Sequence, residues 1–108
     1  MLNPDEIYRE VLACGEDWAD KKAAYEALDD NTKSVLASIT ANFLDSGKMT
    51  KSEAEMRALA SGDHKNYLAS VSAARKEWLR AQVKYDSLKM LADLRRSEES
   101  TRRQEMRL

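Results

Sequence analysis

The chain has 108 residues, 34% of them charged and 6% aromatic, with a formal net charge of −1. That length gives room for one small domain, and a mix rich in Leu, Ala, Lys and Glu favours extended helices over a compact globule. One Pro and three Gly leave few breakpoints, and no apolar run approaches the ~18 residues of a membrane span.

The charge is unevenly spread. Residues 1–54 carry six Lys or Arg against eleven Asp or Glu, a balance of −5, and residues 55–108 carry twelve against eight, a balance of +4. Either two oppositely charged helices pair along their flanks, or the basic half contacts an acidic partner such as nucleic acid. Cys14 is the only cysteine and His64 the only histidine. One of each builds neither an intrachain disulfide nor a metal site. Cys14 falls on an apolar stripe and is expected in the core. The opening MLNPDEIYRE lacks the basic segment and apolar stretch of a signal peptide. The expectation is a cytoplasmic protein with no membrane contact.

Asn3 before Pro4 reads as an N-cap with Pro at the first helical position. Asp5 and Glu6 suit the positive end of the helix dipole. A heptad frame follows: Ile7, Val11, Cys14, Trp18, Lys21, Tyr25, Leu28, Thr32, Val35 and Ile39. Lys21 and Thr32 are its polar members. Gly15 lies just off the stripe, where it favours close approach of a partner. Asp29, Asp30 and Asn31 invite a break, but the frame keeps its phase through them, which favours one helix over about 4–45. Ser46-Gly47 ends it, with Gly47 suited to a left-handed C-cap. Thr50 and Glu53 fit a capping box that opens a short helix over about 51–61. Met56, Leu59 and Ala60 form its expected buried side.

Asp63 is the expected cap of the last helix, over about 64–106. Its frame is Tyr67, Val71, Ala74, Trp78, Ala81, Tyr85, Leu88 and Ala92, every member apolar or aromatic. Steps of four and three keep one stripe facing a partner helix. Leu68, Leu79, Leu91 and Leu94 widen that stripe. Trp18 and Tyr25 are seven apart, as are Trp78 and Tyr85. In an antiparallel pair Trp18 falls near Tyr85 and Tyr25 near Trp78, a core seam of four rings. The expected fold is one all-α domain, an antiparallel hairpin of two long helices with a short connecting helix. A helix of ~42 residues is about 60 Å long, and such a hairpin buries one seam per helix. Self-association is therefore expected, a dimer closing a helical bundle being favoured.

No residue pattern points to an enzyme. His64 sits in a first helical turn and reads as solvated. Glu16-Asp17 and Asp29-Asp30 are sequence neighbours and diverge around a helix. No Gly-rich phosphate loop is present, and no cofactor is expected. The informative segment is LRRSEESTRRQEMRL, from Leu94 to Leu108. Arg95 and Arg102 are one heptad apart, as are Arg96 and Arg103, and Arg107 lies four beyond Arg103. One reading is helix stabilisation, since cations suit a helix C-terminus and Glu98–Arg102 and Glu99–Arg103 have pairing spacings. The other is a docking end, since Arg binds phosphates or carboxylates in bidentate fashion.

The ending RRSEESTRRQEMRL resembles that of small helical proteins encoded in the early or recombination regions of tailed bacteriophages and prophages. Arg96, Ser97, Ser100, Arg102, Arg103, Glu105, Met106 and Leu108 carry the likeness. SEAEMRALAS and Tyr67-Leu68 extend it over roughly the second half of the chain. Leu94-Arg95 departs from the pattern, where an aromatic commonly precedes the Arg-Ser pair. The resemblance implies a phage or prophage origin near DNA-recombination genes and assigns no activity. The expected function is a non-enzymatic accessory protein of DNA recombination or replication. Its arginine-rich end would dock a partner protein or DNA. Alternatives are an inhibitor of a host enzyme, acting through the acidic N-terminal helix, and a purely structural oligomer.

Overall fold

The computed structural model describes residues 3–107. Met1, Leu2 and Leu108, the last residue of the phage-like ending, lie outside the described residues. Four helices follow in order: α1 (Pro4–Asp30), α2 (Thr32–Ser46), α3 (Lys51–Ala60) and α4 (Gly62–Arg107). Among the described residues there is no strand. The fold is all-α, a hairpin whose first arm is α1 and α2 and whose second arm is α4.

Local chemistry sets where the arms begin. The Asn3 side chain accepts the Glu6 backbone N–H at 2.9 Å, and the Glu6 carboxylate accepts the Asn3 N–H at 3.2 Å. This capping box satisfies two donors left orphaned at a helix start. The helix expected over 4–45 forms one long bent arm, with α1 and α2 meeting at Asn31. The hydrogen-bond ladder persists there: Asn31 N–H donates to the Ala27 carbonyl at 3.3 Å and Val35 N–H to the Asn31 carbonyl at 2.9 Å. Side chains intrude on it. Asn31 Nδ2 donates to the Ala27 carbonyl at 3.0 Å. The Leu28 carbonyl accepts the Thr32 hydroxyl at 3.4 Å and the Tyr67 hydroxyl from α4. Side chains inserted into a ladder are a recognised cause of helix bending.

Three other local expectations are corrected. Gly47 is extended, with φ −162°, and no described residue has positive φ, so α2 ends without a left-handed cap. Ser61, not Asp63, caps α4: its hydroxyl accepts the His64 N–H at 3.2 Å and its carbonyl the Lys65 N–H at 3.1 Å. The helix therefore starts at Gly62. On α3 the buried side is Ala54 and Ala58, while Met56 and Leu59 face outward at 72% and 53% exposure, with Ala60 also exposed. Ala54 and Ala58 are one turn apart and share a face. Packing through the smallest side chains brings the helices close, and it turns Met56 away.

α1 packs along α4, and α2 packs chiefly on α3 beside the start of α4. The molecule is a rod of 86 × 18 × 17 Å with a radius of gyration of 23.9 Å. A compact chain of this length would have a radius near ~13 Å. A rod this thin has little interior, and no large side chain among the described residues is fully buried. Leu68, Leu79, Leu91 and Leu94, expected to widen the buried stripe, are all exposed. They lie outside the stripe that α4 turns to the first arm.

The glycines separate two effects. A Cβ on Gly15 would meet the Tyr85 ring at 3.1–3.3 Å, whereas one on Gly62 would meet nothing within 4 Å. Gly62→Ala is therefore expected to raise stability by about 0.4–1 kcal/mol through the unfolded chain. Gly15→Val is expected to cost about 1–3 kcal/mol by overpacking the seam. Thermal melts of the two variants check the opposite signs.

Candidate functional site

Each heptad position from Ile7 to Ile39 and from Tyr67 to Ala92 is at least half-buried. That is the pattern of a two-helix seam, in which each arm turns one stripe to the other. Cys14 lies within it, buried at 7% exposure, and is a free thiol. Four rings fix the register. Tyr25 stacks on Trp78 with centroids 5.3 Å apart and planes 14° apart, and Trp18 meets Tyr85 at 6.0 Å and 34°. Lys22 Nζ lies 5.4 Å from the Trp18 ring and Lys89 Nζ 4.3 Å from the Tyr85 ring. Both are within cation–π range, so the seam's flank is closed by cations over ring faces. Trp18 Nε1 and Trp78 Nε1 are buried without a hydrogen-bond partner. These indoles serve as ring surface, and each buried N–H left without a partner costs stability.

His64 departs from expectation. It is buried at 7% exposure, with Nδ1 unpartnered. The cap at Ser61 moves the helix start back, and His64 then falls three residues before Tyr67, on the seam frame. Sequence reading missed it because the frame was begun at Tyr67.

The same frame runs forward to Arg95, three residues after Ala92. Arg95 is half-buried at the edge of the seam. It lines a shallow groove with Ile7, Tyr8, Val11 and Ala92. The other four arginines are exposed. Arg96 pairs with Asp93 at 3.4 Å and Arg103 with Glu99 at 3.9 Å, both within the helix and both solvent-facing. Such pairs contribute ~0–1 kcal/mol each.

The ring pairs set levels along the rod. Trp18 is level with Tyr85 and Tyr25 with Trp78. Extending that register puts Pro4 level with Glu99, and the two line the same groove. Arg102, Arg103 and Arg107 therefore lie past the first turn of α1, with no other described helix alongside. At ~100° per residue, all five arginines fall within a sector of about 140°, which includes Glu99. Glu98 and Glu105 lie on the flank outside it. The arrangement offers a ladder of guanidinium forks along one side of a helix end. It contains no nucleophile with an adjacent base. Among the described residues no three His, Cys, Asp or Glu side chains gather as metal ligands, and no helix is long and apolar enough to cross a membrane.

Comparison with protein-family models, curated proteins and solved structures finds no match. The functional reading rests on geometry and on the sequence.

Trp78 carries the stacked pair and is half-buried. Trp78→Ala is expected to cost about 3 kcal/mol, the low end for a large aromatic. Unchanged denaturant midpoints would place the ring outside the energetic core.

Proposed function

We propose that this chain is a non-enzymatic docking protein whose arginine-rich helix end binds an acidic partner. The partner class is DNA phosphate or the acidic surface of a recombination or replication protein. The observation that supports this reading is the one-sided arginine sector, three of whose members extend beyond the hairpin. The exposed guanidinium groups of Arg102, Arg103 and Arg107 are available for bidentate contact with phosphate or carboxylate. The likeness of RRSEESTRRQEMRL to phage early-region proteins supports a setting in phage DNA metabolism. It extends to no activity.

Self-association belongs to the same proposal. Leu79, Leu91 and Leu94 are exposed at 42%, 39% and 62%, while Val35 and Phe43 are half-buried. A rod with that much outward apolar surface is suited to a homodimer, which would also present two arginine ends. The acidic outer side of α1, with Glu16, Asp20 and Asp30 exposed, supports a second reading, occlusion of a basic site on a host enzyme.

Replacing Arg96, Arg102 and Arg103 together by Gln tests the leading reading. The fold is expected to survive, because the Arg96–Asp93 and Arg103–Glu99 ion pairs are exposed and local. DNA titrated at several salt concentrations is expected to bind more weakly to the variant. Each lost phosphate contact removes roughly 0.9 from the log–log salt slope. Unchanged affinity and slope for a folded variant would remove DNA from the proposal, and a collapsed melting temperature would assign the arginines to the scaffold.

A further inference from the structure

We propose that the outer face of α4 over residues 65–83 lies along an anionic lipid surface. This is a second site, apart from the arginine end. It requires no membrane span, which no described helix provides. The cations Lys65, Arg75, Lys76 and Arg80 share one sector of the helix with Leu68, Leu79 and Val83. At ~100° per residue the sector is about 140° wide, and it points away from the seam residues Tyr67, Ala74 and Trp78. Leu68, Leu79 and Val83 are exposed at 41%, 42% and 67%, and all four cations are exposed.

Charge selects an anionic occupant. From 65 to 83 the sector holds no Asp or Glu. Glu77, the one acid in that stretch, lies about 60° past Arg80 and pairs with it at 3.6 Å. Among the described residues, Lys65, Arg75 and Lys76 have no carboxylate within ion-pair distance. Farther along the same face the acids are matched, Asp86 by Lys89 and Asp93 by Arg96, both at 3.4 Å. Clustered cations with so little counter-charge raise the local positive potential.

The apolar residues decide which anion. Nucleic-acid phosphates need cations and make no use of Leu79 and Val83 between them. A partner helix packs on a continuous apolar stripe, which the seam has and this face lacks, because Ser72, Arg75 and Lys76 stand between Leu68 and Leu79. A bilayer surface takes both kinds of side chain. Apolar groups enter the boundary between headgroups and acyl chains, and cations meet the anionic headgroups. Lys and Arg reach them on long stems with their charges still in water. The face runs about 27 Å along the helix at 1.5 Å per residue, and exposed Met90 continues its apolar row. The expectation of no membrane contact rests on the lack of a long apolar run, whereas a surface-bound helix needs only one amphipathic face. The contact takes Leu79 from the surface offered above for self-association and leaves Leu91, Leu94, Val35 and Phe43 to it.

Co-sedimentation of the full chain with vesicles tests the proposal. Binding is expected to vesicles of phosphatidylcholine mixed with phosphatidylserine and not to phosphatidylcholine alone, and it is expected to weaken as salt rises. Replacing Arg75, Lys76 and Arg80 together by Gln is expected to weaken it by about tenfold or more, since one Lys or Arg at an anionic surface is worth roughly fivefold in affinity. Leu79→Ser combined with Val83→Ser is expected to weaken it several-fold. Both variants are expected to keep their helicity, because all five positions are exposed. A wild type that ignores the mixed vesicles, or binds the neutral ones equally, would overturn the proposal. Binding that survives the Gln variant but is lost on replacing Arg96, Arg102 and Arg103 would overturn it in favour of the helix end. A folded Ser variant that binds unchanged would overturn the lipid contact and leave a purely electrostatic site. None of these readouts involves DNA, so failure here leaves the arginine-end reading standing.

Discussion

The stacking of Tyr25 on Trp78, with Trp18 against Tyr85 about two turns away, sets the register of the molecule. Large rings at matched levels let the smaller Cys14, Ala74 and Ala81 share the rest of the seam without forcing the helices apart. Gly15 completes the arrangement. Its missing side chain leaves the space that the Tyr85 phenol fills. A one-residue slip of either arm would take the rings off the shared face, so the alternatives are separated by whole turns. The Tyr67 hydroxyl, donating to the Leu28 carbonyl, ties α4 to the first arm beside the bend at Asn31.

Everything outside the seam follows from its narrowness. Two helices bury one stripe each, and at 86 Å the rod spends its length on that stripe. The apolar residues of α4's other faces stay outside the hairpin's core. The charges of the two arms divide by sign, with acid mainly on the first and base mainly on the second. Yet Lys21–Asp17, Lys22–Glu26, Arg80–Glu77, Lys89–Asp86, Arg96–Asp93 and Arg103–Glu99 each pair within a single helix, three or four residues apart. The opposite charges of the arms act as a diffuse attraction across the hairpin. The specific joints are aromatic. At the far end of α4, Arg95 lies at the edge of the seam, and Arg96, Arg102, Arg103 and Arg107 are exposed.

Much of this was legible in the sequence, for a definite reason. A two-helix seam writes itself as an unbroken alternation of fours and threes, and the frame through Trp18, Tyr25, Trp78 and Tyr85 has no competing solution. What escaped was whatever that signal does not encode. Apolar character ranks Met56 and Leu59 above Ala54 and Ala58, but close packing of a short helix selects by size, and the alanines face inward. His64 and Arg95 extend the seam as polar members, invisible to a reading that follows apolar residues. The leucines off the frame looked like a broader stripe because sequence alone does not say how many helices surround α4. The arginine cluster was visible as composition. Its division into one seam-edge member and four outward ones needed the register.

The central claim is that the ring pairs hold the two arms at this register, and a double-mutant cycle tests it most directly. Tyr25 and Trp78 are replaced by Ala singly and together, with Trp18 and Trp78 as the control pair. Tyr25 and Trp78 are expected to show a coupling of about 0.5–1.5 kcal/mol, and the control pair, whose rings are not in contact, is expected to add within ~0.3–0.5 kcal/mol. Additive effects for Tyr25 and Trp78, or a larger coupling in the control pair, would contradict the register and the hairpin built on it.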